Sequence, residues 1–395
     1  MLHKLIDHSP DLKRLRDEGF EIRIKGAHVL VGHIPYVNSS REVCYGTFVA
    51  DLTIAGEKAG VPRDHVIYFI GEQPCHKDGT VITALVHGQN KTLIGEGLEI
   101  DRSFSNKPPN GYPDYYEKFT TYINIVSGPA QSLDSSVKSQ TYRLVESDNT
   151  DSPLNYPDTN SSRAQISILS ERLKGQRIGI LGMGGTGSYL LDFIAKTPVS
   201  EIHIFDNDDF LLHNAFRAPG APTTEVLKEI KSKVDYYSEI YSRMHRGIKP
   251  HDEFITESNL HRLDNLHFVF IGIDKGGIKK EIIQHLTNRK IDFIDVGIGI
   301  EASENGSLLG MLRVTSSVNG NSEHIFNKGR ISFAEATEAD LYNQNIQIAE
   351  LNALNACLAI IKWKKMVGFF FDAEKEKHSL FSIDDNSIIN DDIEA

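Results

Sequence analysis

Two styles of hydrophobic patterning divide the chain. Over residues 1–145, short runs of aliphatic and aromatic residues alternate with turn signals: Phe20 to Ile24, Ala27 to Gly32, His65 to Gly71 and Tyr122 to Ser127. Runs of this length bounded by Gly, Pro or Asn read as strands. Ser103 to Gly111 (SFSNKPPNG) reads as a loop. The first part is thus expected to be a smaller α+β domain. Residues 146–162 (ESDNTDSPLNYPDTNSS) are polar, with two prolines, and predict a linker.

From residue 163 to 395 strand-like and helix-like stretches alternate. Strands are expected at Arg177 to Leu181, Glu201 to Asp206, His267 to Asp274 and Asp292 to Gly297. Helices are expected between them at Thr186 to Thr197, Thr224 to Met244 and Ile278 to Asn288. Such alternation predicts an α/β fold with a Rossmann-like doubly wound sheet. Ser307 to Ser317 adds a strand beyond it. A last helix, about Asn345 to Met366, carries Leu351, Leu354, Leu358 and Ile361 at 3-4-3 spacing. With Ala353, Ala356, Cys357 and Ile360 it is apolar most of the way round, which predicts a buried helix.

Composition narrows the class. At 395 residues, with 40% apolar and 24% charged, two domains of ordinary globular character are expected. The net charge of −12 disfavours a nucleic-acid binder with a general basic surface. No window is apolar for long enough to make a membrane helix, and Met1 to Pro10 lacks the apolar core of a secretory signal. A cytoplasmic protein is the expectation. Three cysteines without a CxxC pair predict no zinc and no disulfide framework. Phe371 to Ala395 holds eight acids against two lysines and reads as a solvated acidic tail.

The chemistry concentrates between Arg177 and Arg217. An apolar strand runs into Gly182-Met183-Gly184-Gly185-Thr186-Gly187 and then a helix, and the next strand ends in Asp206. Gly182 suits a tight turn, Gly184 suits close approach of a phosphate, and Gly187 suits close helix–strand packing. The helix N-terminus would offer unpaired N–H groups to an anion. Asp206 stands where it would accept hydrogen bonds from a ribose. NAD is one reading, giving an oxidoreductase. Asn214 and Arg217, 8 and 11 positions after Asp206, with Lys233 beyond, favour a polyphosphate instead. Asp274, at the end of its strand, fits either Mg²⁺ or the cap of the following helix.

In these elements (GMGGTG at Gly182 to Gly187, Asp206, Asn214, Arg217, the lysine helix from Lys233, and FIGID ending at Asp274) the chain resembles the ThiF/MoeB/ubiquitin-activating superfamily. The whole chain looks like bacterial ThiF proteins with an added N-terminal domain. The resemblance implies ATP-dependent adenylation of the C-terminal glycine carboxylate of a ubiquitin-like protein. It places Gly182, Gly184, Gly185, Gly187 and Asp206 on the nucleotide, Asn214 and Arg217 on phosphates, Lys233 on the α- and β-phosphates, and Asp274 on Mg²⁺. Arg163 resembles the arginine that such dimers lend to the partner's site. A homodimer and a conjugating-enzyme-like partner are also implied, with sulfur-carrier adenylation as an alternative.

The family's acceptor cysteine has no counterpart after Ser307 to Ser317. Cys357 reads as a core residue, and Cys44 and Cys75 lie in the first domain. Two outcomes stay open: direct hand-over of the adenylate, or acyl transfer to a hydroxyl among Thr315, Ser316, Ser317 and Ser322, with His324 as the nearest base in sequence.

Overall fold

The computed structural model describes residues 2–95, 97–145, 152–274, 276–334 and 346–393. The chain splits into two compact units, Met1–Asp151 and Ser152–Ala395. Part of the expected linker, residues 146–151, lies outside the described residues. The remainder does not behave as a linker, because it packs on the second unit. Asn155 Nδ2 donates to the Ser242 carbonyl (2.7 Å), Arg246 Nε donates to Asn155 Oδ1 (2.7 Å), and α4 (Thr159–Arg163) follows.

In the first unit, α1 (Leu2–His8) and α2 (Pro10–Asp17) precede an antiparallel sheet. Its strands are β1 (Glu21–Lys25), β2 (His28–Val37), β3 (Val43–Asp51), β4 (Val66–Ile70), β5 (Val86–Gly88) and β6 (Arg102–Ser105), in the order β1-β2-β3-β4-β6-β5. Tyr122 to Ser127, expected as a strand, lies inside α3 (Tyr115–Leu133). Ile123, Ile125 and Val126 have strand propensity, but Tyr115, Phe119, Tyr122, Val126 and Ala130 recur at helical spacing and are buried. Asp114 caps this helix, accepting from the Glu117 amide (2.8 Å). Part of Ser103 to Gly111, expected as a loop, is strand β6.

The second unit is built on eight strands: β7 (Arg177–Leu181), β8 (Glu201–Phe205), β9 (Ile248–His251), β10 (Phe268–Ile271), β11 (Asp292–Ala302), β12 (Leu308–Ser317), β13 (His378–Ser382) and β14 (Ile388–Asp391). The sheet order is β9-β8-β7-β10-β11-β12-β13-β14. The first five strands are mutually parallel and the last three continue antiparallel. The order reverses between β7 and β10, the position at which open α/β sheets bind ligands beyond their strand C-termini.

Helices α5 (Ser167–Glu171), α6 (Gly185–Ile194), α7 (Thr224–Glu229), α8 (Lys233–Tyr241), α9 (Gly276–Arg289), α10 (Glu323–Asn327) and α11 (Ala349–Met366) complete the unit. The single helix expected over Thr224 to Met244 is two. Ile230 breaks it with φ +45°, a left-handed conformation that a β-branched residue rarely adopts. One core packs α6, α8 and α11 against the sheet through Leu190, Ile194, Val234, Ala359 and Trp363, and a second packs α9 through Ile282, Ile283 and Leu286.

Helix α11 buries a different face from the one its leucines predict. Asn352, Asn355, Ala356, Ala359, Ile360, Lys362 and Trp363 are buried, whereas Leu351, Leu354 and Leu358 are half-buried and Ile361 is 44% exposed. The neighbouring α6 and strand surface accept small residues and one indole, and that leaves the leucine row outward. Cys357, expected in the core, is half-buried. Asn345 lies outside the described residues.

The acidic end is likewise not a free tail. Residues 378–391 form the β13–β14 hairpin, and its flanking acids have cationic partners. Lys362 meets Asp372 (3.1 Å), Lys365 meets Glu376 (3.0 Å), and Arg330 and Lys328 hold Asp392. Glu394 lies outside the described residues. Among the described residues no helix is long and apolar enough to cross a membrane.

Candidate functional site

The glycine turn after β7 is shaped by what surrounds each of its positions. Gly182 has φ +89°, and a Cβ there would lie 2.7 Å from the Gly272 carbonyl oxygen. A Cβ at Gly187 would collide with the Gly182 carbonyl, so helix and strand meet at van der Waals distance only because the residue is glycine. At Gly184 a Cβ would meet nothing within 4 Å. That glycine opens onto free space at the N-terminus of α6, where unpaired amides and the positive helix end favour an anion. Gly185 faces inward, against Asn352 of α11.

Asp206 is 4% exposed at the end of β8, and both of its oxygens are engaged. Oδ2 accepts from the Met183 amide (2.6 Å), while Oδ1 accepts from the Asp208 amide (2.8 Å) and lies 3.4 Å from Lys233 Nζ. The carboxylate therefore braces the glycine turn. Lys233 is 6% exposed at the first position of α8, behind the Ser232 cap. Its ammonium lies 2.6 Å from Asp208 Oδ2. Asp208 was not singled out from the sequence, although an acid two residues after Asp206 was the available signal.

Asn214, 3% exposed, uses its side-chain oxygen locally, accepting from the Leu211 amide (2.8 Å). It shapes the turn that delivers Arg217. Burial holds the Arg217 guanidinium below its usual range, while Tyr237, Asp274 and Asp208 act in the opposite direction. Its Nε is buried without a hydrogen-bond partner among the described residues. Asp274 is exposed after β10, with its charge acting on Arg217. The structure thus brings Asp206, Asp208, Lys233, Arg217 and Asp274 to one edge of the sheet. Arg163, expected ahead of the first helix, is the last residue of α4.

A cavity of about 530 Å³ opens on the same edge, beyond β9. Phe254, Ile255, Thr256, Glu257, Ser258 and Ile278 line it. The β9 strand and this cavity were missed in the sequence, since IKPH is too short and polar to read as a strand.

The four hydroxyls proposed as acyl acceptors are not exposed nucleophiles. Thr315, Ser316 and Ser317 lie on β12 at 0%, 1% and 0% exposure, and Ser322 is 3% exposed. Thr315 Oγ1 lies 3.0 Å from Arg313 and 2.9 Å from His378 Nδ1, and Ser317 Oγ donates to the Asn321 carbonyl (3.1 Å). Ser322 Oγ accepts from Thr287 (2.9 Å). Ser316 Oγ donates to the Lys377 carbonyl (3.4 Å). His324 is buried, and that burial lowers its basicity. The strand pairing of β12 with β11 and β13 accounts for this enclosure. Burial also raises the thiols of Cys44, Cys75 and Cys357 above their ordinary range, which opposes thiolate chemistry at each.

Residues 162–325 match the ThiF family. They form a ThiF domain. Residues 10–159 match a domain of unknown function, DUF6791. A tRNA threonylcarbamoyladenosine dehydratase from Haemophilus influenzae is 25% identical over 134 residues, 32% of this chain and 49% of that protein. The chain therefore spans about half the length of this curated relative. Among solved structures, a selenomethionine form of PaaA is similar at 19% identity and TM-score 0.45, over 57% of this chain and 75% of that one. E. coli MccB with ATP is similar at 16% identity and TM-score 0.45, over 60% and 71%. The matched residues include Asp206, Asp208, Arg217, Lys233 and Asp274, whereas α11 and the β13–β14 hairpin extend past the family match.

Proposed function

We propose that the second unit is an ATP-dependent adenylyltransferase that activates the C-terminal glycine carboxylate of a ubiquitin-like protein. The observation that carries this reading is the convergence of Arg217, Lys233 and Asp274 beside an open glycine turn. The ribose would sit by Asp206 and the triphosphate along Gly184, Lys233 and Arg217, with adenine in the cavity walled by Phe254, Ile255 and Ile278. In the reaction a carboxylate oxygen attacks the α-phosphorus. The bond to the bridging oxygen breaks, and pyrophosphate departs with the electron pair, leaving an acyl-adenylate. No side chain need act as nucleophile. Lys233 and Arg217 hold the phosphates in line and offset the repulsion between two anions.

Asp274 and Asp208, two carboxylates acting on Arg217, have the hard-oxygen chemistry that suits Mg²⁺ shared with phosphates. When bound there, the ion would neutralise charge on the triphosphate. Arg163 of a second copy would serve the same site in a homodimer. With the four candidate hydroxyls enclosed, direct hand-over of the adenylate to an incoming conjugating-enzyme-like protein or other nucleophile is the better-supported route.

ATP–pyrophosphate exchange, with and without a candidate carrier ending in glycine, tests this. Arg217→Ala and Asp274→Ala are each expected to lower exchange by about 10²–10³. Unchanged exchange in both variants refutes the clamp. The Haemophilus relative supports a second reading, in which the site acts on a nucleoside within tRNA. Consumption of ATP stimulated by tRNA and not by the carrier would favour it, and a bound nicotinamide cofactor would favour an oxidoreductase.

A further inference from the structure

Asn352 lies on α11, beyond the ThiF match, and is 1% exposed. Its amide bridges the two elements that hold anions in the reading above. Thr186 Oγ1, in the first turn of α6, donates to Asn352 Oδ1 (3.2 Å), and Asn352 Nδ2 donates to the Arg217 carbonyl (3.2 Å). The carbonyl can only accept, which fixes the nitrogen on the Arg217 side and the oxygen on the Thr186 side. The same amide fills the space beside Gly185, where a Cβ would collide with Nδ2. The close approach of Asn352 leaves no room for a side chain at Gly185.

We propose that Asn352 is a positioning residue for the nucleotide site, fixing the N-terminus of α6 relative to the Arg217 turn. This rests on the nucleotide reading of the glycine turn, though not on the identity of the molecule adenylated. Loop residues 218–223, which join the Arg217 turn to α7, belong to no helix or strand, so no regular element on that side sets where Arg217 stands. A buried amide with both ends engaged does.

The experiment uses the full chain and two readouts: binding of a fluorescent ATP analogue, and KM against kcat in ATP–pyrophosphate exchange. Asn352→Ala is expected to raise the analogue Kd and the KM for ATP about tenfold, with a smaller change in kcat, while circular dichroism shows a folded protein. Asn352→Asp keeps the Thr186 bond but sets an acceptor against the Arg217 carbonyl, and is expected to be at least as impaired. Gly185→Ala alone should lose binding through the collision. Gly185→Ala combined with Asn352→Ala should recover part of it, because the methyl takes the vacated space. Kd and KM within twofold of wild type in Asn352→Ala, or a double variant no better than Gly185→Ala, overturns the proposal. Wild type that binds the analogue but performs no exchange removes the adenylation reading and leaves Asn352 to be judged by Kd. Wild type that binds no adenine nucleotide overturns both.

Discussion

Lys233 Nζ lies 2.6 Å from Asp208 Oδ2 and is nearly sealed from solvent, although its carboxylate partner is more than half exposed. The lysine is thus held by a group that solvent can reach. On the proposed nucleotide reading, a phosphate oxygen would displace Asp208 to take over the ammonium. Lys233→Met is expected to lower nucleotide exchange by about 10²-fold, the scale of losing one preorganised charge donor. Steady-state exchange with a folded-state control checks this.

Asp206→Asn isolates the bracing role. An amide presents one N–H face where the carboxylate presented two acceptors, so either the Met183 or the Asp208 amide loses its partner, and Lys233 loses a nearby charge. A cost of about 2–3 kcal/mol is expected, from one lost charge-assisted hydrogen bond and one unsatisfied donor. Denaturant unfolding should show it, together with a smaller thermal shift on adding ATP.

Much of this was legible beforehand, for definite reasons. The strands β7 and β10 are nearly continuous apolar runs, as parallel strands covered on both faces must be, and the glycine turn has a fixed grammar. The start of α8, where Lys233 stands, is marked by a local signal, the Ser232 cap. What escaped depends on contacts distant in sequence. The face α11 buries is chosen by Gly185, Thr186 and Gly297, and not by its own leucines. Tyr122 to Ser127 read as strand because propensity outweighed a helical stripe seven residues either way. The acids of the last segment looked solvated because Lys328, Arg330, Lys362 and Lys365 are remote in sequence.

A buried ion triad crosses β11 and β12. Asp295, fully enclosed, meets Lys279 of α9 (3.1 Å) and Arg313 (2.5 Å). Removing the one acid leaves two cations without a counter-charge. Asp295→Ala is expected to cost about 3–5 kcal/mol, the range for breaking a buried pair by deleting one partner. Chemical denaturation of the second unit measures it.

His378 gives the protein an acid-sensitive point. Burial, with Arg330 and Arg313 nearby, pushes the imidazole down to about 4. The unfolded chain binds this proton near its ordinary value of about 6.5, so between roughly pH 6.5 and 4 unfolding takes up a proton. Stability is fully present above that window and declines as pH falls through it, by about 3 kcal/mol for this residue. His378→Asn should flatten the slope of midpoint against pH, leaving the smaller share of His245, His251 and His324, which burial also lowers.

The enclosed hydroxyls lead to a last expectation. Intact-mass measurement of the enzyme with ATP and a carrier should reveal no hydroxylamine-labile adduct on Thr315, Ser316, Ser317 or Ser322. An adduct at any of them would show that β12 opens during turnover.

The β13–β14 hairpin bears on how the second unit can be cut for laboratory work. A piece ending at residue 325, where the family match stops, would lose α11 and strip the outer neighbour from β12. The freed strand border, Met311 to Thr315, would offer unpaired backbone N–H and C=O groups to other molecules, an invitation to clump. The shortest piece worth expressing runs from Ser152 through Asp392.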